Sequence, residues 1–354
     1  MTAVKKFCIA LSAILVWFAI PVATANAVSI GQTCTKTVLG TRVSIQVNKK
    51  PVIAVCRMVA GRKKWIRAAV QTLVTTTTST STTSTMFPVN PAFTDVASQT
   101  EPTLRTFTVT GKDPRTYYLN IPSNYLKGTP LPLLLAFHSR TTNAQELLSS
   151  TRVGEFVNDM GFILVTINGS VHEWSSWNAG TCCSPAIDFN EDDVNLTSLI
   201  IDSISSAYSV DPNRIWAMGH SNGGMMSYHL ACDLSNKISA VAIVGGALMD
   251  DSCSPSQPVS IIHIHGNLDE TIPFTGGGKF EVPDIQTSVI KPNTNFSCDS
   301  SPNEIKPLVG VNQIIWNCEH GAQTKLMNYL DNGHEWHLDY TKEILRFLFA
   351  HPRK

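Results

Sequence analysis

Short apolar runs recur between residues 103 and 354 and alternate with segments whose apolar residues follow helical spacing. The runs at 131–137 and 162–167 are almost continuously apolar, which is typical of strands buried on both faces of a sheet. Three further runs, at 214–218, 240–244 and 259–264, have the same character. The pattern therefore predicts several buried, mostly parallel strands.

Apolar residues at helical spacing fall between these strands. They predict helices over 192–208 and 222–232, and a final helix over 340–349 that follows a strand-like segment at 325–330. Alternation of strands and helices indicates an α/β fold with a doubly wound, mostly parallel sheet. In such a sheet, ligands bind at the carboxyl ends of the strands.

The first hundred residues follow a different pattern. Residues 1–27 have two lysines, an apolar run and the small residues Ala25 and Ala27, which predicts a signal peptide rather than a membrane anchor. Residues 28–74 alternate in polarity at 41–47 and 52–56, which predicts a small β-rich module built on a hairpin. Residues 75–102 are rich in Thr, Ser and Pro and are expected to form a linker to a large domain at 103–354.

Charge is divided between these parts although the whole chain carries 27 basic and 27 acidic residues. The module at 28–74 has nine Lys and Arg residues and no acidic residue, whereas residues 75–354 have a net charge of −11. The module is expected either to be simply well solvated or to adhere to an anionic cell-wall surface. An exported chain is not expected to bind nucleic acid or, after cleavage of its signal peptide, to keep a transmembrane anchor.

Eight cysteines remain once Cys8 leaves with the signal peptide, and an even number in an exported chain favours disulfides. We expect three pairs and leave Cys182 and Cys183 either joined to each other or exchanged with another pair. A metal site is not expected, because the cysteines lack metal-ligand spacing. The expected pairs are Cys34 with Cys56, Cys232 with Cys253, and Cys298 with Cys318.

Candidate chemistry centres on a G-x-S-x-G sequence at 219–223. It lies between a predicted strand and a predicted helix, the setting of a nucleophile elbow, and Ser221 is its nucleophile. An acid and a histidine should follow in that order. Asp269, after the strand at 259–264, is the expected acid, with Glu270 as its rival; His334 is the expected base, with His337 as its rival.

Two backbone N–H groups are expected to bind the developing oxyanion. One belongs to Asn222 at the start of the helix. The other is expected from Arg140, or alternatively from Ser139, in the loop after the strand at 131–137. The side chains of Trp174, Trp177 and Trp336 are candidates for a substrate pocket, although Trp177 could equally pack in the core.

Distinctive motifs lie at 177–183, 192–194, 210–215, 219–226, 265–269 and 333–336. Through these motifs the large domain resembles the secreted polyhydroxybutyrate-depolymerase-type esterases, α/β-hydrolases that are related to feruloyl and acetyl carbohydrate esterases. The resemblance implies the same triad of Ser221, Asp269 and His334. One departure is that Ser139 and Arg140 stand where the family usually has Gly and a small residue after the histidine.

These observations predict a secreted serine esterase that uses no metal or organic cofactor. The resemblance implies a hydroxyalkanoate polyester as substrate, with feruloyl or acetyl esters of a plant polysaccharide as the alternative. A serine peptidase on the same fold is a further alternative, as is a surface-attached binding protein with a disabled hydrolase domain.

Overall fold

The computed structural model describes residues 101–110, 112–250 and 252–354, together with the backbone of three strands between residues 42 and 67. The chain divides into two compact units, 1–77 and 78–354. The expected signal peptide, residues 75–100 of the expected linker and Cys34 lie outside the described residues, and so does the pairing of Cys34 with Cys56. No helix among the described residues has the length and apolarity needed to cross a membrane.

The described residues of the first unit form three strands, β1 (Arg42–Val47), β2 (Lys50–Val59) and β3 (Arg62–Arg67). They form an antiparallel sheet in the order β1-β2-β3. The hairpin that the alternating pattern predicted corresponds to β1 and β2, while β3 was not predicted.

The second unit is built from twelve strands and six α-helices within the described residues. The strands are β4 (Thr103–Phe107), β5 (Arg115–Asn120), β6 (Leu131–Phe137), β7 (Ile163–Ile167), β8 (Ser170–Val171), β9 (Ser175–Ser176), β10 (Val210–His220), β11 (Ala240–Val244), β12 (Ser260–Gly266), β13 (Glu304–Leu308), β14 (Val311–Asn317) and β15 (Gln323–Tyr329). The helices are α1 (Ala144–Thr151), α2 (Val157–Met160), α3 (Asp193–Ala207), α4 (Asn222–Asp233), α5 (Ile285–Asn295) and α6 (Leu338–Ala350).

Ten of these strands form one sheet in the order β13-β14-β15-β12-β11-β10-β6-β7-β5-β4. The six central strands, from β15 to β7, are parallel, and antiparallel pairs complete both edges. The predicted fold class, a doubly wound and mostly parallel α/β sheet, is therefore confirmed.

Alternate residues of the central strands point to opposite faces, and each face buries its own apolar layer. Leu133 and Leu135 of β6 pack in the layer that includes residues of α3, α4 and α5. Leu134 and Ala136 pack in the layer that includes residues of α1, α2 and α6. Because both faces are covered, the central strands β6 and β11 are apolar throughout.

Three disulfides lie in the second unit, and they join Cys182 to Cys183, Cys232 to Cys253, and Cys298 to Cys318. The pair formed by Cys232 and Cys253 ties the last turn of α4 to the loop after β11. The pair formed by Cys298 and Cys318 ties the end of α5 to the end of β14. Cys253 precedes β12, and Cys318 follows β14, which runs antiparallel to β15, so both cross-links lie towards the amino edge of the parallel strands.

Candidate active site

Ser221 lies at the sharp turn between β10 and α4 with φ +56° and ψ −122°. This conformation is costly for a residue with a side chain, and it is maintained by the surrounding backbone. A Cβ atom on Gly219 would lie 2.1 Å from the carbonyl oxygen of Gly223, and one on Gly223 would lie 2.1 Å from that of Phe137. Both glycines of the motif are therefore required by close backbone contacts.

Asp269 and His334 follow β12 and β15, two neighbouring parallel strands, so their loops meet at the same edge of the sheet. His334 Nδ1 lies 2.6 Å from Asp269 Oδ2. The other carboxylate oxygen, Oδ1, accepts N–H bonds from Thr271 at 2.9 Å and Ile272 at 2.8 Å. Burial acts to raise the pKa of Asp269, but the hydrogen bonds from His334 and Ile272 outweigh burial and the pKa lies below its usual value.

Behind Asp269, three buried side chains form a hydrogen-bonded chain. The Tyr228 hydroxyl lies 2.6 Å from His263 Nδ1, and His263 Nε2 lies 3.0 Å from His265 Nδ1. His265 Nε2 then donates to the Ile272 carbonyl at 2.8 Å and lies 3.4 Å from Asp269 Oδ2. Burial lowers the pKa of both histidines, so the chain is built from neutral rings and each N–H has an acceptor.

Ser221 and His334 line the same open cleft. The Ser221 hydroxyl has no hydrogen bond to any residue in the described part of the chain, and such bonds are often long before substrate binds. The two rivals lie elsewhere: Glu270 is exposed, and His337 is exposed and bonds Glu335. The structure thus brings Ser221, Asp269 and His334 together at one edge of the sheet.

The two expected oxyanion donors come from neighbouring loops at this cleft. Asn222 is the first residue of α4, where the helix dipole favours negative charge. In the loop after β6, the N–H groups of Thr141 and Thr142 donate to the carbonyls of Ser175 and Ser139. The Arg140 N–H has no acceptor among the described residues, and so it is available to a ligand; the same holds for Ser139, which stays the alternative.

Trp177 forms hydrogen bonds both to the turn that carries Ser221, called the nucleophile turn, and to the loop after β6, called the oxyanion loop. Its backbone N–H donates to Asn222 Oδ1 at 2.8 Å, and its carbonyl accepts from Asn222 Nδ2 at 3.1 Å. Its indole N–H donates to the His138 carbonyl at 2.9 Å. The side chain is fully buried and does not line the cleft with Ser221, which favours the alternative that Trp177 packs in the core. Its motif serves to position the loops, which accounts for the Trp and the polar residues around it.

The other two candidate tryptophans lie nearer the surface. The indole N–H of Trp174 donates to the Ser184 carbonyl at 3.1 Å, and the Arg140 guanidinium lies 4.7 Å from the centre of a Trp174 ring. Trp336 donates to Thr341 Oγ1 at 2.8 Å. Neither tryptophan is among the residues that line the cleft with Ser221. Phe280 does line it, and it belongs to no motif that would have identified it in the sequence.

One group of side chains within the described residues could hold a metal ion, formed by His229, Asp233 and Asp250. Both ring nitrogens of His229 already face carboxylates, Nδ1 at 3.0 Å from Asp250 and Nε2 at 3.7 Å from Asp233. These contacts explain the group as ion pairing, and none of its members lines the cleft.

Comparison with known proteins agrees with this geometry. The sequence model of the phospholipase/carboxylesterase family matches residues 165–301, a segment that contains Ser221 and Asp269. An acetyl xylan esterase from Aspergillus awamori superposes with a TM-score of 0.53 at 16% identity, over 69% of this chain and 99% of the other. The large domain has the α/β-hydrolase fold. The expected resemblance to carbohydrate esterases is confirmed at this level.

Curated relatives of this chain are named as esterases. Feruloyl esterase B of Piromyces equi is 28% identical over 62% of this chain and 42% of its own length. A bifunctional acetylxylan esterase/xylanase of Neocallimastix patriciarum is 26% identical over 62% of this chain and 31% of its own length. The match thus spans less than half of either relative. Carboxylic ester hydrolysis is the enzyme class that these names share with the family.

Proposed function

We propose that this protein is a secreted serine esterase that hydrolyses carboxylic esters through an acyl-enzyme intermediate. The observation that carries the proposal is the 2.6 Å contact between Asp269 and His334 in loops beside a serine held at a nucleophile elbow. Nucleophile, base and orienting acid are the three parts that such chemistry requires.

In the proposed reaction, Ser221 Oγ attacks the ester carbonyl while His334 Nε2 takes the hydroxyl proton. The developing oxyanion accepts hydrogen bonds from the N–H groups of Asn222 and Arg140. Asp269 holds the imidazole in the tautomer that leaves Nε2 free to accept, and it stabilises the imidazolium that forms. His334 then gives the proton to the leaving alcohol. Water, deprotonated by His334, releases the acid and restores the serine.

We propose feruloyl or acetyl esters of a polysaccharide as the substrate class, since the relatives named above carry these activities in their names. The cleft is lined by polar groups as well as Phe280, which suits an aromatic or short acyl group on a hydroxylated carrier. A hydroxyalkanoate polyester is the second candidate. It is favoured by the Thr/Ser-rich segment at 75–85, a composition that tethers a separate module to a catalytic domain.

Export is part of the proposal and rests on the charged and apolar pattern of residues 1–27. The three disulfides of the second unit support it, because such bonds persist in oxidising compartments. We further propose that the basic module at 28–74 adheres to an anionic cell-wall surface.

The test uses the full chain and p-nitrophenyl esters from acetyl to octanoyl, with methyl ferulate, acetylated xylan and 3-hydroxybutyrate oligomers. Ser221→Ala should abolish turnover, whereas Ser206→Ala, which removes a hydroxyl on α3, should not. Release of ferulate or acetate would support the carbohydrate substrates, and release of hydroxybutyrate the polyester. A folded wild type that neither turns over any ester nor reacts with a fluorophosphonate would overturn the esterase proposal.

A further inference from the structure

Ser139 and His220 connect the oxyanion loop to the loop that carries the base. The Ser139 hydroxyl oxygen lies 2.8 Å from His220 Nδ1, and His220 Nε2 lies 2.7 Å from the backbone carbonyl oxygen of His334. Residues 139, 220 and 334 belong to three separate segments of the chain. A continuous hydrogen-bonded bridge therefore joins the loop after β6, the residue before the nucleophile and the loop after β15.

The protons in this bridge can be placed from its chemistry. A carbonyl oxygen only accepts, so Nε2 of His220 must carry the hydrogen that bonds His334. Burial, with the nearby His334 ring, lowers the pKa of His220 to about 4, and the ring is neutral near pH 7. Its Nδ1 is then a bare acceptor, and it receives the Ser139 O–H. Both bonds of the bridge point in one direction, from the oxyanion loop to the base.

The bridge holds a part of His334 that Asp269 does not reach. Asp269 bonds Nδ1 of the ring, whereas His220 bonds the main chain of the same residue. The His220 ring also packs against the His334 ring, with centroids 4.9 Å apart, and meets Trp336 edge-on at 5.9 Å. With both the ring and the backbone fixed, the position of the free Nε2 of His334 relative to Ser221 is determined.

We propose that Ser139 and His220 are positioning residues of the esterase reaction, which hold the base and the oxyanion donor in register with the nucleophile. This inference rests on the proposed function. It also accounts for Ser139 at a position where the family that the domain resembles usually has glycine, because glycine has no hydroxyl to donate. The adjacent Arg140 supplies the proposed oxyanion N–H, so the bridge begins one residue from that donor.

A double-mutant cycle in the full chain tests the bridge with a p-nitrophenyl ester. Ser139→Ala should lower kcat by roughly 3- to 10-fold, the effect of one hydrogen bond, and leave KM within about twofold. His220→Phe keeps the ring volume but removes both bonds, so its loss should be larger. Because Ser139 acts through His220, the double variant should be no slower than His220→Phe alone. Ser139→Thr keeps a hydroxyl and should stay within about twofold of the wild type.

Two results would overturn the proposed bridge. The first is an unchanged kcat in Ser139→Ala. The second is that Ser139→Ala lowers kcat by the same factor in the His220→Phe variant as in the wild type. If circular dichroism shows that His220→Phe does not fold, the two variants at position 139 test the bridge alone. Ser139→Thr should then keep the wild-type kcat, and Ser139→Ala should not. If the wild type is active and the kcat losses of the two single variants are additive in the double variant, only the bridge is contradicted. A wild type without turnover and without fluorophosphonate labelling contradicts the proposed function as well.

Discussion

The carboxylate of Asp269 binds His334 with one oxygen and two backbone N–H groups with the other. Oδ2 lies 2.6 Å from His334 Nδ1, and Oδ1 accepts from Thr271 and Ile272. The backbone bonds fix the plane of the carboxylate before the imidazole meets it. The neighbouring Glu270 has no part in this arrangement because its side chain is exposed.

Comparing Asp269→Asn with Glu270→Gln should therefore show which of these two neighbouring residues is the acid of the triad. The amide can present its NH₂ to His334 and stabilise the wrong tautomer, so we expect kcat to fall by about 10³- to 10⁴-fold. Glu270→Gln, which makes the same chemical change one residue later, should leave kcat within about twofold. Steady-state hydrolysis of a p-nitrophenyl ester measures both. Equal losses in the two variants would show that the acid has been assigned wrongly.

Gly223→Ala should unfold or severely destabilise the large domain. Its Cβ would lie 2.1 Å from the carbonyl oxygen of Phe137, and neither backbone can move without disturbing β6 or α4. We expect a loss of at least about 3 kcal/mol in the free energy of unfolding. Gly154→Ala is the matched control, because its Cβ would have ordinary contacts at 3.8 Å. Chemical denaturation measures both, and a Gly223→Ala protein as stable as Gly154→Ala would contradict the close contact.

Much of the large domain could be predicted because the signal was local. The strands β6 and β11 were recognisable as continuous apolar runs, since burial on both faces leaves no polar position in them. The strand β12 was recognisable from its isoleucines, although it also buries His263 and His265. The order of Ser221, Asp269 and His334 followed from a motif and from the strands that precede the acid and base. By contrast, all five residues of β13 are exposed, so this strand has no alternation to recognise.

Contacts between distant segments were the part that sequence could not supply. The role of Trp177 depends on hydrogen bonds to residues 39 and 45 positions away. The contact of His220 with His334 spans 114 residues. A sequence does not distinguish a side chain that is buried from one of the same type that lines a substrate cleft. The packing of the loops decides which of the two it is.

Trp177→Phe should destabilise the protein through the loops that Trp177 holds. The variant leaves the buried His138 carbonyl without the indole donor and removes part of a fully buried side chain. We expect a loss of about 2 kcal/mol or more in the free energy of unfolding. Trp174→Phe also removes an indole N–H, but from a half-buried position, and should cost less than about 1 kcal/mol. Urea denaturation compares them, and equal costs would argue against a positioning role for Trp177.

Stability should fall as the pH is lowered from about 6.5 towards 4, because the fold buries neutral histidines. Burial lowers the pKa of His138 and of His220 to about 4, and it also lowers the pKa of His263 and His265. In the unfolded chain these rings bind protons near pH 6.5, so between the two values the unfolded state holds more protons than the folded state. Acidification then favours unfolding.

Denaturation at pH 7.5, 5.5 and 4.5 measures this slope. His263→Asn should flatten it, since one buried titrating ring is lost, even if the variant is less stable at every pH. A free energy of unfolding that stays constant over this pH range would mean that the buried rings accept protons within the folded protein. The hydrogen-bond directions assigned to the chain of Tyr228, His263 and His265 would then be incorrect.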